Sequence, residues 1–372
     1  NKMPIYKEYA LTKTYQKGII TFVEYLTKVL HFSRRIFMKK ILAMVISVAL
    51  VMSLFTACGS KSETVKTGLA VISSADHSSK DAGDEEGLAQ VDSTAVAVLV
   101  DSKGVIKNCA IDVVQTKINF NNAGEITTDL ASTFDSKQTL GDAYDMKKAS
   151  AIGKEWFEQA NALADYVKGK TVAEVKGIAL EDGYAAAEDL KSSVTMDIGS
   201  MVDAIEKAAN NAQDLGAHAD DKLGLGIVSG LGHLSANASA DKDGVAQAES
   251  HYGVVTLDKG GKITSSIIDA SQSNVNFSAE GIITSDLSGA DFETKTEKGD
   301  AYDMKKASSI GKEWFEQAKA FSDYIKGKTV ADVKGIALDD SSKPTSDDLK
   351  SSVTIAIGEF LTVIDKAGAA AK

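Results

Sequence analysis

Two hydroxyl-rich heptads carry the chemistry that stands out in this sequence. Asp189-Leu190-Lys191-Ser192-Ser193-Val194-Thr195 returns letter for letter as Asp348-Leu349-Lys350-Ser351-Ser352-Val353-Thr354. Each copy precedes an apolar run with helical spacing: Met196, Ile198, Met201, Val202 and Ile205 in the first, Ile355, Ile357, Phe360, Leu361 and Ile364 in the second. Ser, Thr and Asp at such a place cap the free N–H groups of a helix start. The same N–H groups attract phosphate, and a Thr hydroxyl beside them can carry a phosphate ester. Capping describes the local structure. It does not explain why seven residues are identical between stretches that have drifted.

The heptads belong to a longer duplication. Gly141–Ala160 recurs as Gly299–Ala318 with one change, Ala151 against Ser309. Lys168–Leu180 recurs from Lys326, with Glu174 changed to Asp332. Upstream, Gly68, Leu69 and Ser73 match Gly224, Leu225 and Ser229, and Asn119-Phe120 matches Asn276-Phe277. The unit is about 150 residues, an ordinary domain size. The expected organisation is a leader over 1–57, a tether over 58–65, one repeat over 66–214, a linker over 215–221 and a second repeat over 222–372. The two repeats are expected to fold separately.

Each unit opens in strands and closes in helices. Val96, Val98 and Val100 alternate up to a turn at Asp101–Gly104, and Ile106, Ile111 and Val113 continue beyond it. Val254, Val255 and Leu257 do the same around Asp258–Gly261, which predicts a hairpin in each unit. Gly68–Ser73 and Gly224–Ser229 are candidate extra strands. Met146, Ala149, Ile152, Trp156, Ala160, Leu163 and Val167 share one helical face that ends at Gly169. Thr171–Lys176 reads as a short helical turn. Strands followed by helices predict an α+β fold, with helices packed on an antiparallel sheet.

Composition narrows the function. The formal net charge is −11, and the only arginines are Arg34 and Arg35. An acidic body without Arg lacks the footprint of a nucleic-acid binder, so no nucleic-acid partner is expected. Nor can it clamp a phosphate with a bidentate guanidinium. A bound phosphate must then rely on backbone N–H groups, hydroxyls and Lys, or be held covalently. His77, His218, His233 and His251 read as solvated loop residues without metal-ligand spacing. Cys109 has Ser266 as its counterpart, so no thiol nucleophile is common to both repeats. Glu155 and Glu313 read as solvated or capping acids. No catalytic set and no metal site is expected. Trp156 and Trp314, with Tyr144 and Tyr302, read as core aromatics, a reading compatible with a surface for a planar ligand.

Met38-Lys39-Lys40 precedes the apolar run Ile41–Phe55 and then Thr56-Ala57-Cys58, the order of a signal peptide. Met38 reads as the start, with residues 1–37 as upstream sequence or an extended leader. A Cys directly after small residues resembles a bacterial lipobox, with Phe55 where Leu is usual. Cys58 would then carry the lipid that anchors the body to a membrane. An uncleaved membrane helix is the alternative.

The heptad Asp-x-x-Ser-Ser-Val-Thr resembles the flavinylation motif of FMN-binding domains, Asp-x-x-Ser/Thr-Gly-Ala-Thr/Ser. In that family a flavin transferase joins the FMN phosphate to the last Thr. Asp189, Ser192 and Thr195 match the motif, as do Asp348, Ser351 and Thr354, while Ser193-Val194 and Ser352-Val353 depart from Gly-Ala. With the stretches that begin at Gly141 and Gly299, residues 38–372 are similar to two-domain Gram-positive lipoproteins of flavin-based extracellular electron transfer, whose signal peptide also yields a pheromone-like peptide. The resemblance implies a tandem duplication of an FMN-binding-like domain, with covalent FMN on Thr195 and Thr354. It gives Asp189, Asp348, Ser192 and Ser351 cofactor-binding roles. It implies a flavin transferase, a membrane NADH dehydrogenase or quinone as electron donor, and extracellular acceptors. It places the protein at the outer face of the cell membrane, as a carrier and not an enzyme. The alternative is a flavin-free surface lipoprotein, structural or ligand-binding, whose signal peptide is a pheromone precursor.

Overall fold

In the computed structural model, residues 62–79, 81–287 and 292–372 are described. The leader, Met38 and Cys58 lie outside them. The first repeat opens with an antiparallel meander of β1 (Thr64–Ser74), β2 (Gly87–Val100) and β3 (Ile106–Phe120). There follow β4 (Thr133–Phe134), α1 (Lys137–Leu140), α2 (Trp156–Val167), α3 (Val172–Lys176), the ribbon β5 (Leu180–Glu181) with β6 (Tyr184–Ala185), α4 (Glu188–Lys191) and α5 (Gly199–Asn210). After β7 (Gln213–His218) the second repeat runs through β8 (Lys222–Leu231), β9 (Gly244–Leu257) and β10 (Ile263–Phe277). It closes with α6 (Lys295–Lys298), α7 (Trp314–Tyr324), α8 (Val330–Lys334), α9 (Asp347–Lys350) and α10 (Gly358–Ala370). The strands form two four-stranded antiparallel sheets, β3-β2-β1-β7 and β10-β9-β8-β4. The fold is mixed α and β, with antiparallel sheets and packed helices.

Alternation along β2 divides the protein into layers, because successive side chains point to opposite faces. Val96, Val98 and Val100 enter a core with Trp156, Leu163 and Val167 of α2 and Ile205 of α5. Ala95, Ala97 and Leu99 face the other way, into a cluster with Leu223, Leu225 and Ile227 of β8 and Tyr252 and Val254 of β9. In the second repeat Val255, Ile263 and Ile268 pack on Trp314 and Phe321 of α7 and Phe360 and Ile364 of α10. Each sheet thus lies against its own helices on one face and against the other sheet on the second.

The two repeats share more than a boundary. Residues 62–372 form one compact unit. The stretch expected as a linker contributes β7, whose Ala217 pairs with Val65 of β1. In the opposite sense, Thr133 and Phe134 of β4 pair with Gly230 and Ser229 at the edge of the second sheet. At one end of the shared layer Phe120 and Phe277 stack with centroids 4.5 Å apart. Buried hydroxyls in this layer bond across it, Thr67 to Ser265 at 2.7 Å and Thr116 to Ser229 at 2.6 Å. Such pairing offsets a cost of about 1–3 kcal/mol for a buried polar group without a partner, a cost that the buried Ser273 hydroxyl of the same strand layer still bears.

The periodicity from Met146 to Val167 predicts one long helix, but α2 begins only at Trp156. Asp145 and Gly153 adopt positive φ, which breaks the helical path before that point. Glu155 then starts the helix. It forms a reciprocal capping box with Glu158. The Glu155 carboxylate also accepts from the N–H groups of Met146 and Lys147, at 2.9 and 3.2 Å. Glu155 is therefore a buried capping acid that ties the preceding loop to the helix, not a solvated one.

Gly68 and Gly224 occupy equivalent positions where the closing helix of each repeat crosses its sheet. A methyl group on Gly68 would run into the Ala208 carbonyl of α5, and one on Gly224 into the Ala367 carbonyl of α10. Neither neighbour is a flexible side-chain end, so the helix itself must move. Gly68→Ala and Gly224→Ala are each expected to destabilise the protein by about 1–3 kcal/mol or more, the usual range for overpacking. Urea unfolding measures this. Wild-type midpoints in both variants would show that the helices do not lie this close.

Candidate functional site

Each heptad bridges two helical segments instead of capping one. Asp189, Leu190 and Lys191 lie in α4, Leu190 and Val194 are anchored in the core, and α5 starts only at Gly199. The expected capping role is overturned. The N-cap of α5 is Ile198, without a side-chain cap bond, and Ile357 stands there for α10. The heptad hydroxyls lie too far upstream to reach the first free N–H groups. Asp197 accepts the Gly199 N–H instead, at 2.8 Å. Exposed Ser192 donates back to the Asp189 carbonyl at 3.1 Å, and Ser351 to the Asp348 carbonyl at 3.0 Å. The phosphate-attracting helix start is therefore not at Thr195 or Thr354.

What holds each Thr is a buried glutamine. The Thr195 N–H donates to Gln159 Oε1 at 2.8 Å, and its Oγ1 approaches the same oxygen at 3.3 Å. Thr354 and Gln317 repeat this at 2.8 and 3.2 Å. Gln159 and Gln317 are wholly buried. The Gln159 amide nitrogen donates to Ser150 Oγ at 3.1 Å and to the Lys154 carbonyl at 3.2 Å. Sequence reasoning missed these glutamines. The signal was a polar residue inside the apolar stripe of α2, retained in both copies. Asp189 and Asp348 are exposed. The Tyr166 phenol is raised above its ordinary pKa by burial and by the Asp189 charge beside it.

A cavity of about 410 Å³ adjoins the first heptad, lined by Lys137, Tyr144, Trp156, Met196 and Met201 among others. The Lys137 ammonium stands 4.7 Å from the Tyr144 ring and 5.3 Å from the Trp156 ring, a cation over two aromatic faces. Lys295 repeats this with Tyr302 and Trp314, at 5.3 Å each. A buried acid positions the lysine. Asp112 of β3 accepts from the Gln138 N–H at 3.0 Å and the Val113 N–H at 2.8 Å, so it fastens α1 to the sheet. Burial pushes its pKa up to about 6. Asp269 binds the Thr296 and Ala270 N–H groups in the same way, and burial lifts it to about 6 too. An acid set among the apolar residues of a strand and repeated in both units was the sequence signal for this pair.

The remaining reactive side chains take quieter places. Cys109 is buried, which pushes its thiol up to about 12. His77, exposed at the cavity mouth, meets Asp92. His251 is not a loop residue as expected. It lies in β9, where burial and the nearby Lys295 charge lower its pKa to about 4. Among the described residues no group of His, Cys, Asp and Glu could hold a metal ion, and no helix is long and apolar enough to cross a membrane.

A 46-residue stretch of the chain is 54% identical to chlorophenol reductase from Desulfitobacterium hafniense. The stretch makes up 12% of this chain and spans 14% of that protein. No family model and no solved structure matches the chain.

The glutamine contact makes a prediction that separates backbone from side chain. Gln159→Ala strands the Thr195 N–H and is expected to cost about 1–3 kcal/mol in urea unfolding. Thr195→Ala keeps that N–H bonded and should cost about 1 kcal/mol or less. Equal losses in the two variants would mean that Gln159 does not hold the heptad through its backbone.

Proposed function

We propose that this chain is a membrane-tethered electron-transfer flavoprotein carrying FMN through its phosphate on Thr195 and Thr354. Each repeat is then an FMN-binding-like domain. The observation that carries the reading is the placing of each closing Thr. It is bonded to a buried Gln one helical turn from the Trp of the Lys–Tyr–Trp set. A group esterified there starts beside an aromatic, cation-bearing surface.

The residues of the first cavity fit such a group. Tyr144 offers an aromatic face and Trp156 the small part of its ring that reaches the cavity. Met146, Met196 and Met201 offer soft polarizable edges and Lys137 a cation, beside the lining acids Asp76, Asp92 and Asp197. A volume of about 410 Å³ falls within the range of ligand pockets. A bound flavin supplies the electron-transfer chemistry. The chain binds it, orients it and limits its contact with water. In the attachment step the Thr oxygen bonds to the flavin-side phosphorus of a flavin dinucleotide. The phosphoanhydride bond breaks, the nucleoside monophosphate leaves, and the hydroxyl proton passes to a base of the transferase. Gln159 Oε1 fixes the direction of that hydroxyl beforehand.

Covalent attachment suits a body whose arginines are confined to the leader. Without guanidinium clamps a dissociable flavin phosphate is weakly held, and outside a cell it is lost to dilution. Lipid on Cys58, a membrane NADH dehydrogenase or quinone as donor, and extracellular acceptors belong to the same proposal. The short likeness to a protein named for a reduction is in keeping with it.

Co-expression with a flavin transferase and intact-mass measurement test the reading. Two additions are expected, each the mass of FMN less water. One is lost in Thr195→Ala, the other in Thr354→Ala, and both in the double variant. An unmodified chain from respiring native cells would favour the flavin-free lipoprotein.

A further inference from the structure

The two repeats keep the same attachment and differ in what stands over it. In the first, Thr94, Ser200 and Met201 line the cavity. The duplication puts His251, Glu359 and Phe360 at the equivalent places. Phe360 is 1% exposed. Its ring meets Trp314 edge-on at 5.6 Å and Phe321 at 5.5 Å, with His251 at 6.2 Å. Phe321 itself replaces Leu163. His251, Phe360 and Phe321 are thus larger than their counterparts and Phe360 packs on the second tryptophan, while Ala270 is smaller than the Val113 that lines the first cavity.

The lysines differ in the same direction. Lys295 is 6% exposed and pairs with Glu249 at 3.2 Å. Lys137 is half-buried and lines the cavity, and among the described residues no carboxylate pairs with it. Asp92, the counterpart of Glu249, is turned to His77 instead. Among the described residues, the first site thus presents an open volume with a lysine that no carboxylate pairs with, although Asp76, Asp92 and Asp197 share the lining, and the second a tryptophan packed by Phe360 with a paired lysine.

Resting on the flavin reading above, we propose that the two flavins form an unequal pair. The ring carried by Thr195 enters the first-repeat cavity against Trp156 and Lys137. The ring carried by Thr354 is kept out by Phe360 and His251 and lies on the surface. The exposed ring is the one that meets acceptors arriving from outside.

The test uses the full flavinylated chain with one site at a time. Thr354→Ala leaves the first flavin and Thr195→Ala the second, each confirmed by mass. Flavin fluorescence is then quenched with iodide and, separately, with a neutral quencher, so that local charge does not decide the result. A pocket that covers about 70% or more of a ring leaves about a third of it accessible, so the Thr354-linked flavin should quench roughly threefold more steeply. Adding Thr94→His and Met201→Phe to the Thr354→Ala chain should raise its quenching towards that of the second site. Adding His251→Thr and Phe360→Met to the Thr195→Ala chain should lower it. Equal quenching constants with both flavins attached overturn the asymmetry and leave the flavin reading standing. Chains that carry no flavin at either Thr overturn both.

Discussion

The long central strands of this protein are buried on both faces, and most of the structure follows from that. One face takes the helices of its own repeat, and the other takes the opposite sheet. The shared face uses small residues such as Ala95 and Ala97 to bring the sheets together. Most of its hydroxyls find one another, as Thr116 and Ser229 do. On the helix side, Gly68 and Gly224 let α5 and α10 lie directly on the strands. With both faces used, the chemistry-bearing groups gather where helices and sheet diverge, around the heptads and the Lys–Tyr–Trp sets.

Much of this was legible in the sequence. The duplication, the hairpins turning at Asp101–Gly104 and Asp258–Gly261, and the helices after each heptad all carry local signals of period and turn type. The shared core was not legible. Val96, Val98 and Val100 alternate with Ala95, Ala97 and Leu99, and nothing local says whether the second set meets solvent or another sheet. β7 sits in what composition suggests is a linker, because its partner β1 is distant in sequence. The helix expected from Met146 starts late because one residue, Gly153, takes a backbone conformation that periodicity ignores.

The candidate site was half legible. The heptads were found because they repeat, but their local role was misplaced by a few residues. A helix cap depends on where the first free N–H falls, and the turn after α4 moves that point to Gly199. Gln159 and Asp112 do their positioning from inside apolar stripes, where a polar residue reads as noise until its partners are seen. Gln159 fixes the Thr backbone, and Asp112 fastens the helix that carries the cavity-lining Lys137. The proposed attachment at Thr would also suit the charge of the body, which has lysines and no arginine to clamp a phosphate.

Unfolding membrane-derived protein in guanidinium and passing it through gel filtration tests the covalent link most directly. With FMN esterified to Thr195 and Thr354, the flavin absorbance elutes with the unfolded polypeptide, at two flavins per chain. Flavin that elutes with the small molecules, or a colourless polypeptide, contradicts it.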